Sequence, residues 1–323
     1  MRHCLAFLAA LFVASAAAQV PPAVSYPTHP VRLLLHFPPG GATDIVARII
    51  SPPLAERLGK PVLVENRPGA AGILASELTA KAPPDGHTLY MATASSLAHN
   101  PILFAKLPYD PAKDFAPITL LVTSPFIVAV HPSNPVNSVR ELIATVKAQP
   151  GQWAFATGGN ASGMHLAAEL FRIMAGLQMT HVPYKGNGPA LQDLAAGQVP
   201  IAFTDLGSTS GFLKSGRIKI LAVASNKRSA NAPDIPTAAE SGLPGWEALG
   251  WFGLVATGGT PEDVVNRLNT EVVAILRQPD IRERILATGN EPEPMTIAEF
   301  RSFIKSEYVR WEKVIRTAGI KVE

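Results

Sequence analysis

Apolar and β-branched residues fill positions 31–37, two prolines and two glycines follow at 38–41, and Ile45, Val46, Ile49 and Ile50 then recur at helical spacing. This pattern predicts a strand, a glycine-rich turn and a helix. A second short strand over 61–65, a helix of small residues over 70–82 and a strand over 87–92 extend the order to β, α, β, α, β. Such alternation implies a mixed, mostly parallel sheet with helices on its faces. The pattern restarts with a long β-rich stretch at 118–130, then helices over 139–149, 163–176 and 189–196 and strands over 153–156, 179–182, 201–203 and 218–224. A strand over 250–256, a helix over 261–276 with Thr260 as its cap and Pro261 at its first position, and a helix over 297–318 complete the chain. The last helix carries Phe300, Phe303, Ile304, Tyr308, Trp311 and Ile315 at spacings of three and four.

This reading predicts an α/β protein of two domains. The chain crosses between the domains near 119–130 and near 250–255, which makes a hinge and leaves the first domain discontinuous. The expected boundaries are 26–122 with 252–323 for domain 1 and 123–251 for domain 2. A length of 323 residues and a 47% hydrophobic content support two cores of ordinary size and exclude a disordered chain. The formal charge of +3 is spread without a basic run, which argues against a nucleic-acid partner.

The start of the chain changes the picture most. Met1-Arg2-His3 is a short basic opening, positions 4–14 are apolar but too few to span a bilayer, and Ala16-Ala17-Ala18 is a small-residue cleavage pattern. Export with cleavage near Ala18 is expected, so residues 1–18 are read as a signal peptide. The one cysteine, Cys4, lies inside that segment, which removes disulfides and thiolate chemistry from the mature chain.

Candidate chemistry sits in loops that follow strands. Phe37, Pro39, Gly40, Gly41, Ala42, Thr43 and Asp44 form a turn that opens a helix and so aims backbone N–H groups at one point, an arrangement that attracts anions. The plainer reading is a tight turn with Thr43 or Asp44 as a cap. Thr157, Gly158, Gly159, Asn160, Ala161 and Ser162 make a second turn of the same kind in the other domain, and Thr93, Ser95 and Ser96 offer hydroxyls past a third strand. His181, Tyr184 and Lys185 lie near the same edge, and Asp205 either contacts a ligand or caps the next helix. Two cradles on two hinged domains form a clamp for one small carboxylate. Four to six charge-assisted hydrogen bonds contribute about 6–18 kcal/mol gross, against an ordering cost of about 4 kcal/mol or more.

Enzyme motifs are missing. Positions 159–163 read G-N-A-S-G and 207–211 read G-S-T-S-G, so neither places serine at the centre of a nucleophile elbow. There is no GxGxxG, GxxxxGK[ST] or HExxH, and no histidines stand at metal-ligand spacing, so neither cofactor nor metal is expected.

The order of FPPGGATD (37–44), VENRPGAAG (64–72), PDGHTL (84–89), LPYDPAKDFAPITLL (107–121), HVPYKG (181–186) and AGIKVE (318–323) resembles the Bug family of extracytoplasmic solute receptors of tripartite tricarboxylate transporters. The resemblance implies a monomeric, non-enzymatic periplasmic receptor of type II (Venus-flytrap) architecture that closes on a dicarboxylate, aromatic carboxylate or amino acid and delivers it to an inner-membrane permease. It further implies that the loops at 37–44 and 157–162 hold the ligand carboxylate, and that Ser95, Ser96 and Asp205 read its other end. A sensor docking on a receptor histidine kinase and a periplasmic hydrolase are the alternatives. Ser51-Pro52-Pro53 departs from the family pattern and predicts a kink or restart of the first helix past Ile50.

Overall fold

The computed structural model describes residues 26–320 except 38, 41, 70 and 71, with the side chain of Ser210 also left out. The expected signal peptide, most of the lead-in, and Gly41 of the first cradle lie outside the described residues. The first unit is β1 (Val31–Leu35), α1 (Ala42–Leu58), β2 (Val62–Asn66), α2 (Ile73–Ala80) and β3 (Thr88–Thr93), in the expected order. A π-helix at Ser95–His99 and the short α3 (Asn100–Leu103) lead to β4 (Phe115–Val130). The second unit contains α4 (Val139–Ala148), β5 (Trp153–Thr157), α5 (Gly163–Ala175), β6 (Met179–Pro183), α6 (Asn187–Ala195), β7 (Ile201–Asp205), α7 (Leu206–Lys214), β8 (Lys219–Val223) and α8 (Ala238–Ser241). The chain then returns through β9 (Leu249–Thr257), α9 (Glu262–Leu276), α10 (Pro279–Leu286), β10 (Glu291–Pro292) and α11 (Ile297–Ala318).

β4 belongs to two sheets. Its residues from Phe115 to Pro125 pair antiparallel with β9, and those from Phe126 to Val130 pair antiparallel with β7 and β8. The first sheet runs β2-β1-β3-β9-β4 with β10 on the far edge of β4, and the second runs β8-β4-β7-β5-β6. Both are mixed. β1 is parallel to β2 and β3, and β5 to β6 and β7, while the crossing strands supply the antiparallel pairs.

Alternation along each strand divides its side chains between two cores. Leu33 and Leu35 pack with α1 and α9, whereas Leu34 packs with Ala75, Tyr90 and Trp251 on the opposite face. In the second sheet Val128 and Val130 face α4 and α5, and Ile127 and Ala129 face α6. α11 joins both units, since Phe300 lies in a core of the first sheet and Trp311, Val314 and Ile315 in a core of the second. Between them the buried Glu307 accepts the indole N–H of Trp251 and of Trp311, each at 3.0 Å.

Three expectations change. α1 does not restart at Pro52 and Pro53 but runs through both as one helix. Two proline nitrogens cannot donate to the carbonyls one turn back, yet Ile49, Ile50 and Leu54 are buried on one side and hold the helix to the core across the gap. Thr260 is not the cap of α9: Pro261 is, and Thr260 Oγ1 donates instead to Thr257 O at 2.7 Å. α3, α8 and α10 form in stretches where no helix was expected, and α7 is the helix implied by the capping reading of Asp205, whose extent was not given. No helix among the described residues is long and apolar enough to cross a membrane.

Gly253 in β9 lies directly under the Phe300 ring, and a Cβ there would overlap the ring edge. Gly253→Ala is expected to destabilise the fold by about 1–3 kcal/mol through overpacking. In a urea-denaturation cycle with Phe300→Leu, the cost of the alanine should shrink once the ring is gone. Additive effects would show that the contact does not limit this site.

Candidate functional site

Strand direction gathers the candidate loops. Thr93 at the carboxyl end of β3 pairs with Phe252, which in turn pairs with Val122 of β4. Asp205 at the carboxyl end of β7 pairs with Phe126, only four positions further along β4. At about 3.3 Å per residue this is about 13 Å. The carboxyl ends of β1 and β3 therefore approach the sheet junction from one side, and those of β5, β6 and β7 from the other, the position where open α/β sheets bind ligands.

The turn after β5 is the best-defined cradle. Ser162 caps α5 by accepting from His165 N–H (3.2 Å), and its hydroxyl donates to Gly159 O (2.8 Å). Gly159 has φ 149° and Ala161 φ 55°, the latter the one non-glycine residue with positive φ among the described residues. Ala161 is held there because its N–H donates to His165 Nδ1 at 3.0 Å. Among the described residues, the N–H groups of Gly163 and Met164 at the start of α5 have no partner. The side chain of Asn160 is exposed and likewise without a partner among them. Two unpaired amides at the positive end of a thirteen-residue helix favour an anion.

Behind this turn stands a stack of rings. His165 lies 3.8 Å from His181, ring centroid to centroid, and His181 in turn stacks on Phe155. Accepting from Ala161 N–H fixes the His165 proton on Nε2, which faces Glu169 Oε1 at 3.8 Å. His181 Nε2 lies 2.7 Å from Thr157 Oγ1, which also contacts Gly159 O. Burial lowers both imidazoles to about 4, helped by Arg172 at His165 and by His165 itself at His181. Both rings are thus neutral near pH 7 and act as supports. The sequence marked His181 but not His165, although its position three residues past the Ser162 cap was a local signal.

The turn after β1 is built differently from the expected cap. Asp44 is the third residue of α1 and is buried, and it accepts from Gly40 N–H (3.0 Å), Arg48 Nε (2.9 Å) and Asn66 Nδ2 (3.0 Å). The Arg48 hydrogen bond, with those of Gly40 and Asn66, holds the carboxyl down at about 2 despite opposing desolvation. Asp44 therefore ties the loop down and takes up the Gly40 amide. Phe37, Pro39 and Ala42 are exposed, and the buried Thr43 Oγ1 has no partner among the described residues. The ring of Phe37 lies 4.2 Å from that of His36, whose Nδ1 lies 2.7 Å from Tyr90 Oη.

The remaining candidates divide. Ser96 Oγ closes its own turn, accepting from Thr93 N–H (3.0 Å) and contacting Thr93 O (3.1 Å), while Ser95 is half-buried. Asp205 takes the capping role, accepting Ser208 N–H at 2.8 Å and a short hydrogen bond from Asn187 Nδ2. Gly158 leaves room for Asn187, whose Oδ1 would overlap a Cβ there. Tyr184 Oη donates to Asp193 at 2.7 Å, and burial with that carboxylate raises its pKa to about 12. A separate cavity of ≈ 390 Å³ beside β4 and β10 is lined by Glu247, Glu291, Glu293 and Lys227 and by no residue of these loops. Its excess of carboxylates is the wrong environment for an anion.

Comparison with known proteins agrees with this geometry. Residues 46–320 match the family model described as the tripartite tricarboxylate transporter family receptor. The chain is 36% identical to the protein BugT of Bordetella pertussis over 315 residues, 97% of each chain. Among solved structures it is similar to R. palustris Rpa4515 with adipate (TM-score 0.80, 37% identity, 92% of this chain and 99% of that one). It is also similar to MatC from Rhodopseudomonas palustris with bound malate (TM-score 0.76, 35% identity, 90% of this chain and 100% of that one). A family match over most of the chain, relatives at this identity and a fold shared over most of both chains lead to one conclusion: the chain belongs to the tripartite tricarboxylate transporter receptor family, the Bug-type periplasmic solute-binding proteins.

Proposed function

We propose that this protein is a monomeric periplasmic receptor that binds one small dicarboxylate at the sheet junction and delivers it to an inner-membrane permease of the tripartite tricarboxylate type. The observation that carries this reading is the pair of unpartnered amides, Gly163 and Met164, above the neutral His165–His181 stack. Phe37, Gly40, Gly41, Ala42 and Thr43 form the facing half of the clamp. Ser95, Tyr184 and Asp205 lie toward the part of the ligand that varies. The two moving units are 26–122 with 252–323, and 123–251, hinged on β4 and β9. That Rpa4515 was solved with adipate and MatC with malate supports a dicarboxylate as the class of ligand.

No covalent step belongs to this reading. The Ser162 hydroxyl is engaged by Gly159 O and His165 N–H, and His165 Nδ1 is engaged by Ala161 N–H, so neither is set as a nucleophile or a base.

Calorimetry with refolded protein should detect adipate or malate binding and recover the ligand unchanged. Gly159→Val, which forces a branched side chain to a φ of 149°, should weaken binding by about tenfold or more, the loss expected from one charge-assisted hydrogen bond. Wild-type affinity in that variant would contradict the amide cradle.

A second expectation concerns pH. Protonated His165 would present a donor to the Ala161 N–H and break the turn. Its folded pKa lies near 4, below the ordinary 6.5. The neutral ring is therefore retained from pH 7 down to about 5, and its contribution is lost as the pH falls through about 4. His165→Asn keeps an acceptor without that titration, so it should retain affinity at pH 7 and lose less than the wild type between pH 5 and 4. Identical pH profiles would remove His165 from the account.

A further inference from the structure

The amino ends of β1 and β3 lie at the edge of the first sheet opposite the ligand loops, and there two short lead-ins meet. Arg32 N–H donates to His87 O at 2.8 Å, which sets residues 28–30 beside residues 85–87. The ring of His29 stacks on that of His87 at 3.7 Å with planes 21° apart. One ligand atom from each of His29, Asp85 and His87 lies within 4.8 Å of the others.

The environment of His87 is unusual for a structural histidine. It is 7% exposed, and its Nδ1 has no hydrogen-bond partner. Asp85 Oδ1 stands 3.3 Å from Nδ1 and is fixed by accepting His87 N–H at 2.9 Å. Tyr26 Oη donates to Gly86 O at 2.7 Å and holds the turn between them. On the other lead-in, His29 Nδ1 lies 3.2 Å from Pro30 O, which places its proton there and leaves the Nε2 lone pair free.

We infer that His29 Nε2, Asp85 Oδ1 and His87 Nδ1 bind one divalent transition metal of the zinc or copper class. Two imidazoles and a carboxylate are the donors that such ions prefer over calcium or magnesium. Bonds of about 2.0–2.2 Å at tetrahedral angles place donors about 3.3 Å apart, the separation already present between Asp85 and His87. Imidazole nitrogens coordinate in the ring plane, so the stacked arrangement is that of the metal-free site; His29, exposed and on a lead-in, turns out of the stack to point Nε2 at the ion, and water completes the coordination.

The tautomer change is local. Thr28 N–H donates to His87 Nε2 at 3.1 Å, so the neutral ring carries its proton on Nδ1 in this structure. Metal binding moves that proton to Nε2, where Thr28 Oγ1, 3.4 Å away, accepts it, and the exposed Thr28 N–H turns to water. The outcome is a metal staple joining the lead-in to the start of β3, away from the dicarboxylate cradle.

The test is calorimetric titration of the mature chain from residue 19, free of His3 and Cys4 and of any added histidine tag, with zinc chloride and with copper sulfate, alongside thermal unfolding. One equivalent of metal should bind with micromolar affinity and raise the melting temperature. His29→Ala and Asp85→Asn should each weaken that binding at least tenfold while leaving dicarboxylate affinity unchanged. His87→Ala is unsuitable because its ring is buried. No metal binding by the wild type, or binding of equal affinity and stoichiometry in His29→Ala, would overturn the assignment whatever the dicarboxylate experiments show.

Discussion

The molecule depends on one strand being hydrogen-bonded into two sheets. β4 is buried along nearly all of its length, and neither unit can discard it without exposing its own edge to water. Between Pro125 and Phe126 pairing with β9 gives way to pairing with β7 and β8. Both sets of parallel strands therefore end at the same junction. The convergence of the loops follows from topology and needs no direct contact between them.

What the loops do there follows from the cost of an unpaired amide. An N–H left without a partner is tolerable at the wet mouth of a junction and becomes favourable when an anion fills it. The turn after β5 uses glycine and a strained alanine to aim its amides, and a neutral imidazole to keep the alanine in place. The turn after β1 is secured by the buried Asp44, whose negative charge is balanced by Arg48 and is directed into the protein. One cradle is thus supported by neutral rings and the other by an ion pair. Neither loop carries a lysine or arginine, so in the proposed clamp a ligand's charge would be met by dipoles.

Much of this was legible from residue order. The alternation of apolar runs with helical periodicity located most strands and helices, because burial on one or both faces imposes those periods. The extent of α7 was not, since Leu206-Gly207-Ser208-Thr209-Ser210-Gly211 holds few helix formers, and the helix is secured by the Asp205 cap and by buried Leu206 and Thr209. At Pro52 and Pro53 the opposite holds: local preference allowed a restart that core packing overrides. At the site, the glycine turns stood out, but the partners that decide what each residue does came from distant elements. Asp205 was readable as a cap, yet its bond to Asn187 was not. His29 and His87 are far apart in the chain and meet only because β1 and β3 are neighbours.

The central claim is that loops on two different sheets take hold of a single carboxylate ligand. Amide chemical shifts of ¹⁵N-labelled protein, followed during titration with adipate, test it most directly. The account predicts that the Gly163 and Met164 amides and the amides of residues 40–44 all shift and saturate together at one equivalent. Shifts confined to one of the two loops, or saturation at different stoichiometries, would contradict it.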